Sequence, residues 1–446
     1  MRIIIDGHIH SKYSRATSQD MDIPHIARFA RIKGLNVVGT GDATHPGWLR
    51  ELRSTLNPSP FEGLYVSNVE ADVYFMVTAE VCTISRFEGK VKRIHHVLWI
   101  PSLEVAEQIS DVLAKYGNLE ADGRPTLNMA PPELVEVLIE VSPEIFIFPA
   151  HAWTPWFSLF GAFSGFDRFK DCYQDMADKI HALETGLSSD PPMNWRVSEL
   201  DRLSIISNSD SHSYWPWRLG REANVLNLER LGFREIVEAI KSKDPERFLF
   251  TIETNPAYGK YHWTGHRSCG VSMPASEAIK LKGICPVCGK RMTKGVEERV
   301  EELADRPEDY KPQGVPTYIH LLPLSEIIGA ALGGEQPQSR KVWEIYNALI
   351  SRFGSEFNVL LDASSEEISE IAGRSVAVLI DAVRHGKVKV KPGYDGVYGE
   401  IIFEEVEVKE QEERREAKPA RRTLEAVSYT HLRAHETSLH LVCSLL

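Results

Sequence analysis

The sequence predicts an α/β fold in which a parallel barrel is followed by a small zinc-binding module and a mainly helical C-terminal region. Three observations support this. Short apolar runs alternate with amphipathic segments, several of these runs end in Asp, Glu or His, and a Cys/His cluster with metal-ligand spacing lies downstream. We place the barrel at residues 1–235, the zinc-binding module at 255–300 and the helical region at 301–405.

Composition narrows the class of protein. The 446 residues, 43% of them hydrophobic, suffice for two or three domains. The sequence lacks an apolar run of the roughly 18 residues that a membrane span needs, and Met1-Arg2 leads directly into a strand, so we expect a cytoplasmic protein. The net charge of -12 argues against nonspecific coating of nucleic acid but is compatible with a local basic groove.

The C-terminal end is set apart from the fold. Residues 406–426 are dense in charge and are predicted to be a solvated tail. From Val427, the stretch VSYTHLRAHETSLHLVCSLL resembles adapter or vector read-through, so residues 427–446 are excluded from the metal assignments. The excluded ligand-type residues are His431, His435, His440 and Cys443.

The first strand carries the first candidate ligands. Ile3-Ile4-Ile5 reads as a buried strand and leads into Asp6-Gly7-His8-Ile9-His10. Residues i and i+2 of an extended chain point to the same side, so His8 and His10 can bind one metal ion together. Two exposed histidines at a strand end are the alternative. Repetition of the pattern at later strand ends favours the metal site.

The later strands repeat this arrangement, with helices predicted at 22–33, 102–115, 132–141, 167–180 and 195–202 between them. Carboxyl ends of parallel strands meet at one end of a barrel, which predicts one convergent site. Taken singly, Glu80 could be a capped surface acid and His151 a rim histidine. The predicted strands and their polar residues are 35–42 with Asp42, 74–80 with Glu80, 95–101 with His95 and His96, 145–151 with His151, 181–186, and 203–212 with Asp210 and His212.

The residue types suit phosphodiester chemistry. Imidazoles and carboxylates together favour Zn²⁺ or Mn²⁺, whereas a site richer in oxygen would suit Mg²⁺. Two such ions activate a water and stabilise charge on phosphate oxygens. Asp42, Glu80 and Asp210 are the candidate bridging groups, and the sequence leaves the general base open. Our catalytic candidates are Asp210, Glu80 and His212.

The segments HIHSKYS, GTGD, TAEVCTIS, HHVLWIP, FPAHAW and SNSDSH together resemble the PHP (polymerase and histidinol phosphatase) superfamily. The resemblance implies a distorted (β/α)7 barrel and a phosphoesterase site with two or three metal ions. By position, the ligands it implies are His8, His10, Asp42, Glu80, His96, His151, Asp210 and His212, with His95 as the alternative to His96.

Two positions depart from the superfamily pattern. Asp42 stands where histidine is common, and Arg15-Ala16 occupies the place of a further ligand, for which Asp20 is a weak substitute. We therefore expect two barrel ions, Zn²⁺ with Mg²⁺ or Mn²⁺, and at most a weaker third.

A second metal site is predicted between residues 261 and 288. His266 and Cys269 form H-x2-C, and after 15 intervening residues Cys285 and Cys288 form C-x2-C. This spacing is typical of a closed structural zinc site, with His262 as the alternative histidine ligand. The neighbouring Lys290 and Arg291 could face phosphates or form a solvated rim.

The helical region follows, with apolar spacing over 296–309, 322–333, 338–354 and 365–385. The order of parts, with KYHWTGHRSCG, ICPVCGKRMTKGV and RVEELADRP after the barrel, is similar to the endonuclease Q family over about residues 1–405. The resemblance implies cleavage of DNA on the 5′ side of uracil, hypoxanthine, xanthine and abasic sites, leaving 3′-hydroxyl and 5′-phosphate ends. The implied partner is damaged DNA, double- or single-stranded. A sliding clamp is a further partner by analogy, although we find no clamp-binding motif.

Aromatic residues near the predicted strand ends could contact bases. Extruding a base costs a few kcal/mol and is cheapest at damaged positions. Trp153 and Trp156 are the leading candidates, and packing beneath long loops is the alternative. Others are Phe157, Phe160, Trp48, Tyr214, Trp215 and Trp217.

Two other functions fit part of the sequence. A small-molecule phosphatase of the histidinol phosphate type explains the barrel ligands but not the zinc-binding module. A non-catalytic DNA-repair adaptor with structural metals fits the missing ligand near Arg15 but not the eight remaining ligand-type residues.

Overall fold

The computed structural model describes residues 1–402, so the predicted tail (406–426) and read-through segment (427–446) lie outside the described residues. Its strands are β1 (Arg2–Asp6), β2 (Val37–Gly39), β3 (Leu56–Pro58), β4 (Leu64–Ser67), β5 (Tyr74–Phe87), β6 (Lys90–Ile100), β7 (Thr126–Leu127), β8 (Phe146–Pro149), β9 (Ala182–Glu184), β10 (Ser204–Ile206), β11 (Ala223–Asn227), β12 (Phe248–Glu253), β13 (Thr264–His266), β14 (Val271–Met273), β15 (Thr317–His320), β16 (Lys389–Lys391) and β17 (Glu400–Ile402).

Segment 167–180 forms a short α-helix (Phe169–Tyr173) followed by a 3₁₀ helix (Gln174–Lys179), and segment 195–202 contains a 3₁₀ helix (Ser198–Arg202) in place of the predicted α-helix. The other predicted helices correspond to helices of the structure. Asp22 caps the first by accepting a hydrogen bond from the His25 amide, and Gly34 ends it at φ 98°. The α-helices are α1 (Ile23–Lys33), α2 (Pro46–Thr55), α3 (Leu103–Leu113), α4 (Pro131–Val141), α5 (Phe169–Tyr173), α6 (Pro191–Trp195), α7 (Phe233–Ser242), α8 (Ala275–Lys280), α9 (Val296–Leu303), α10 (Leu324–Ala331), α11 (Arg340–Phe353), α12 (Ser365–Ala372) and α13 (Arg374–Arg384). Across residues 1–402, none is long and apolar enough to cross a bilayer.

Within the described residues, the main sheet has eleven strands in the order β15-β12-β11-β1-β2-β5-β4-β3, with β6 and β7 against β5 and β8 against β6. The pairs β1–β2 and β2–β5 are parallel, as predicted. The pairs β1–β11, β5–β6 and β6–β8 are antiparallel. The α/β class is therefore confirmed, and the all-parallel arrangement is corrected to a mixed sheet.

The β5–β6 hairpin provides one of the antiparallel pairs that make the sheet mixed. Phe87 pairs with Lys90, so Glu88-Gly89 is a two-residue turn. Both turn residues have positive φ, 48° and 77°, as a type I′ turn requires. The prediction ended this strand at Glu80, but β5 continues to the turn. His95 consequently lies in the interior of an antiparallel strand rather than at a parallel strand end.

Two backbone hydrogen bonds bring the ends of β8, β9 and β10 close to the end of β1. The amide of Ala152, just after β8, donates to the Glu184 carbonyl of β9 (2.9 Å), and β9 pairs in parallel with β10. The His10 amide donates to the Ser211 carbonyl after β10 (2.9 Å). The ends of β1, β8, β9 and β10 therefore face one region.

The main sheet also crosses the predicted domain boundaries. β15, which lies in the predicted helical region, pairs in parallel with β12. Segment 365–385 forms two helices instead of one, because Gly373 (φ 85°) separates α12 from α13. The boundaries at 235, 255 and 301 stay a prediction.

Candidate metal centre

His8 and His10 follow β1, and a buried carboxylate anchors the Nδ1 atom of each ring. His8 Nδ1 lies 3.0 Å from both carboxylate oxygens of Glu184. His10 Nδ1 lies 2.9 Å from Asp42 Oδ1. A carboxylate on one imidazole nitrogen fixes the tautomer and directs the other nitrogen, here Nε2, towards a metal. Both Nε2 atoms face the same carboxylates.

The first cluster consists of His8, His10, Glu80 and Asp210, whose ligand atoms lie within 4.8 Å of one another. His10 Nε2 is 3.2 Å from Glu80 Oε2 and 3.1 Å from Asp210 Oδ1. His8 Nε2 is buried without a hydrogen-bond partner in the described residues. Such an atom normally has a partner, and a cation is the partner these neighbours favour.

The second cluster consists of Glu80, His95 and His151. Glu80 Oε1 is 2.7 Å from His95 Nδ1 and 3.1 Å from His151 Nε2. Since Glu80 Oε2 faces the first cluster, the two oxygens of one carboxylate divide between the clusters. This geometry suits a carboxylate that bridges two cations.

Three residues at this site have a strained backbone. Asp42, His151 and Asp210 have positive φ values of 50°, 30° and 48°, a region that non-glycine residues rarely adopt. The surrounding contacts hold them there: Asp42, for instance, accepts from the amide (2.7 Å) and hydroxyl (2.6 Å) of Ser11. Strained residues of this kind cluster at functional sites.

The charges of the site suit cation binding. Burial raises the pKa of Glu80, but His95, Arg124 and hydrogen bonds from the histidines outweigh burial and hold this pKa well below the usual value. The pKa of Asp210 is likewise well below its usual value, because His10 and the other histidines outweigh burial. Both carboxylates are therefore ionised at neutral pH, and the residues present fit a centre for divalent metal ions.

His96, the preferred choice from the sequence, belongs to neither cluster. Its Nε2 lies 3.0 Å from the Thr83 hydroxyl and its Nδ1 3.1 Å from the Tyr173 hydroxyl. Burial lowers the pKa of His96 to about 3. Successive side chains of a strand point to opposite faces, so only one of the two neighbours can face Glu80. The structure therefore favours His95, the alternative from the sequence, over His96.

Asp42 and His212 are near the clusters but outside them. Asp42 contacts the outer nitrogen of His10, an arrangement that suits orientation of that ring better than bridging of two ions. The His212 ring centroid is 4.4 Å from that of His10, and its Nδ1 is 3.0 Å from the Asp210 carbonyl oxygen. Near the missing third-metal ligand, Arg15 pairs with Asp122 (3.3 Å).

The sequence analysis missed two residues of the site. Glu184 ends β9 and, besides holding His8, accepts from the amide of His151 (2.8 Å). The sequence did contain an indication of this role, because Glu184 is an acidic residue near the end of the strand predicted at 181–186. Arg124 lies before β7 with Nη1 3.4 Å from Glu80 Oε2. The sequence around Arg124 gives no indication of this contact with Glu80.

The third group is the predicted zinc site, where the ligand atoms of His266, Cys269, Cys285 and Cys288 lie within 4.8 Å of one another. Cys288 Sγ is 3.4 Å from His266 Nδ1. His262 is not a member, so the structure favours His266 over this alternative. Three thiolates and one imidazole fit a closed tetrahedral zinc site, and Lys290 and Arg291 are exposed beside it.

The aromatic candidates differ in exposure. Trp153 is buried, and its indole nitrogen donates to Asn194 Oδ1 (2.8 Å), so its predicted contact with a base is corrected to a packing role. Trp48 and Phe160 are also buried. Trp156 is 40% exposed.

The two adjacent histidines should respond differently to substitution. We expect His95→Ala to reduce the metal content of the purified protein by about one ion, because it removes a donor from the second cluster. His96→Ala should leave metal content unchanged and lower only stability. Elemental analysis by mass spectrometry measures both. Equal metal loss in the two variants would contradict this assignment.

The chain is similar to several known proteins. A family model for the MJ0043 C-terminal domain matches residues 323–387. The fold is similar to the crystal structure of the lesion-specific endonuclease PfuEndoQ from Pyrococcus furiosus, with 37% identity, a TM-score of 0.82, and coverage of 93% of this chain and 99% of that one. It is also similar to endonuclease Q in complex with a 27-mer duplex substrate carrying an abasic lesion at the active site, with 38% identity, a TM-score of 0.80 and coverage of 91% and 97%.

A curated relative, the uncharacterized protein MJ0043 of Methanocaldococcus jannaschii, is 36% identical over 258 residues. This match covers 57% of the chain and 31% of that protein. The chain therefore spans about a third of the length of this relative.

Proposed function

Because the chain belongs to the endonuclease Q family of DNA-cleaving hydrolases, we propose that it nicks DNA on the 5′ side of deaminated bases (uracil, hypoxanthine, xanthine) and abasic sites. The products carry 3′-hydroxyl and 5′-phosphate ends. The structural observation that carries this proposal is the division of Glu80 between the two clusters, which is an arrangement suited to phosphodiester hydrolysis.

We assign distinct roles to the residues around the two clusters. His8, His10, Glu80 and Asp210 hold one divalent ion and Glu80, His95 and His151 the other, Zn²⁺ with Mg²⁺ or Mn²⁺. Such ions supply an activated water and offset charge on the phosphate. Asp210 and His212 have side chains 28% and 29% exposed, so they are accessible to a phosphodiester that approaches the clusters. With Glu80, they form the catalytic group.

The zinc-binding module and its surface are assigned to structure and DNA binding. His266, Cys269, Cys285 and Cys288 hold one structural zinc ion. Lys290 and Arg291 contact the DNA backbone, because exposed cations beside a rigid zinc site suit phosphate binding. Nothing in residues 1–402 supports a sliding-clamp partner. Cytoplasmic localisation stays a prediction.

The direct test is a cleavage assay with controlled metal content. A labelled duplex with one deoxyuridine, deoxyinosine or abasic site is incubated with the protein and with Asp210→Ala, beside an undamaged duplex. We expect a single nick 5′ to the lesion with the native protein and none with the variant. Failure to cut with Mg²⁺, Mn²⁺ and Zn²⁺, together with turnover of nitrophenyl phosphate, would favour a small-molecule phosphatase instead.

A further inference from the structure

The segment between His151 and Gly165 is tied to the second metal cluster at two points. His151 Nδ1 is 3.1 Å from the hydroxyl of Thr154, which donates to the carbonyl of Trp156 (3.1 Å). The amide of His95 donates to the carbonyl of Phe157 (2.9 Å). The two histidines of the cluster therefore fix the backbone at Trp156 and Phe157.

This segment presents two aromatic rings to solvent. Trp156 and Phe163 are 40% and 52% exposed, and their rings stack with centroids 4.8 Å apart and planes 12° from parallel. The amide of Phe163 donates to the Pro155 carbonyl (3.0 Å), which holds the pair together. Tyr261, at the start of the zinc-binding region, meets Trp156 edge-on at 5.5 Å. Large exposed aromatic groups of this kind mark interaction sites.

Two cations lie against aromatic rings that neighbour the stacked pair in sequence or in space. Lys260 Nζ lies 5.7 Å from the centre of the Tyr261 ring and 5.6 Å from that of Tyr398. The Arg93 guanidinium lies 5.8 Å from the centre of the Phe157 ring. An aromatic surface with flanking cations is complementary to single-stranded nucleic acid, whose bases stack while its phosphates contact the cations.

From this juxtaposition we infer that Trp156 and Phe163 form a stacking platform for an unpaired nucleobase beside the scissile phosphate. The inference rests on the proposed function and extends it to substrate positioning. Stacking uses the π-face that every base has, so the platform accepts the base irrespective of its identity. It therefore serves lesions of different chemistry, including an abasic site whose neighbouring bases are unstacked.

The test compares Trp156→Ala, Phe163→Ala and Trp156→Phe on duplexes that carry deoxyuridine, deoxyinosine or an abasic site. We expect KM for each alanine variant to rise about 5- to 100-fold by a similar factor on all three substrates, with kcat nearly unchanged. Trp156→Phe, which keeps a stacking ring, should recover most of the loss. Metal content should match the native protein, and Val69→Ala, at an exposed site between β4 and β5, should act as the unaffected control.

The outcomes distinguish failure of the platform inference from failure of the proposed nuclease activity. If the native protein does not nick lesion-containing DNA, the proposed function itself fails. If the native protein nicks and both alanine variants keep its KM, only the platform is overturned. A loss confined to deoxyuridine and deoxyinosine would also overturn it, because the rings would then hold the altered base itself.

Discussion

Substitution of Glu80 with glutamine is expected to slow lesion-dependent nicking by about 10³-fold or more, equal to roughly 4 kcal/mol of transition-state stabilisation. The two oxygens of Glu80 face different clusters, at 3.2 Å from His10 Nε2 and 2.7 Å from His95 Nδ1. A neutral amide removes the charge and turns an NH₂ group towards one of the clusters. It therefore cannot bridge two cations.

This substitution needs controls for folding, because Glu80 is buried and contacts the partly buried Arg124. Asp210→Asn provides a second test at a side chain that is 28% exposed, and we expect a similar loss of activity. Glu136→Gln on the exposed face of α4 is the matched control and should retain full activity. Single-turnover nicking and thermal unfolding are measured on all variants. A Glu80→Gln protein within tenfold of the native rate would contradict a bridging role.

Substitution of Lys33 with methionine is expected to lower the free energy of unfolding by about 3–5 kcal/mol, because it leaves a buried charge without its partner. Lys33 ends α1, and its ammonium donates to Glu356 Oε1 (2.7 Å) and to the Pro216 carbonyl (2.8 Å). The two charged side chains are 2% and 0% exposed. The Glu356 carboxylate also accepts from the Tyr346 hydroxyl (2.8 Å), so this contact joins α1, α11 and the segment after His212.

Urea unfolding with three companion variants isolates the pair. Glu356→Gln should lower the free energy of unfolding by a similar amount. The double variant should recover part of this loss, because a neutral pair has no unpaired charge. Lys241→Met removes a partly exposed cation 3.8 Å from Glu238 and should cost less than about 1 kcal/mol. Equal losses of unfolding free energy in Lys33→Met and Lys241→Met would show that burial does not strengthen the Lys33–Glu356 pair.

Local patterns accounted for a large part of this fold. Apolar periodicity located α1, α3, α4, α10 and α11 to within a few residues, because each helix buries one face along its own length. Strand ends with polar residues identified most of the side chains that meet in the two clusters. The H-x2-C and C-x2-C spacing identified the four residues of the predicted zinc site, because short spacing places the two ligands of each pair side by side.

Contacts between distant segments determined the features that local sequence patterns did not predict. The sequence contains both His95 and His96, but only the pairing of β6 with β5 determines which ring faces Glu80. Likewise, whether Trp153 is a base contact or part of the core depends on Asn194, a residue 41 positions away.

The sequence by itself predicted several of the helices and most of the candidate metal-ligand side chains, because these depend on neighbours within a few residues. Only the tertiary structure decided that Glu184 and Asp42 orient the paired histidines, that Arg124 reaches Glu80, and that Trp156 stacks on Phe163 beside the metal centre. Each of these contacts joins side chains whose distance is set by sheet register and loop path. Spacing along the chain does not encode those quantities.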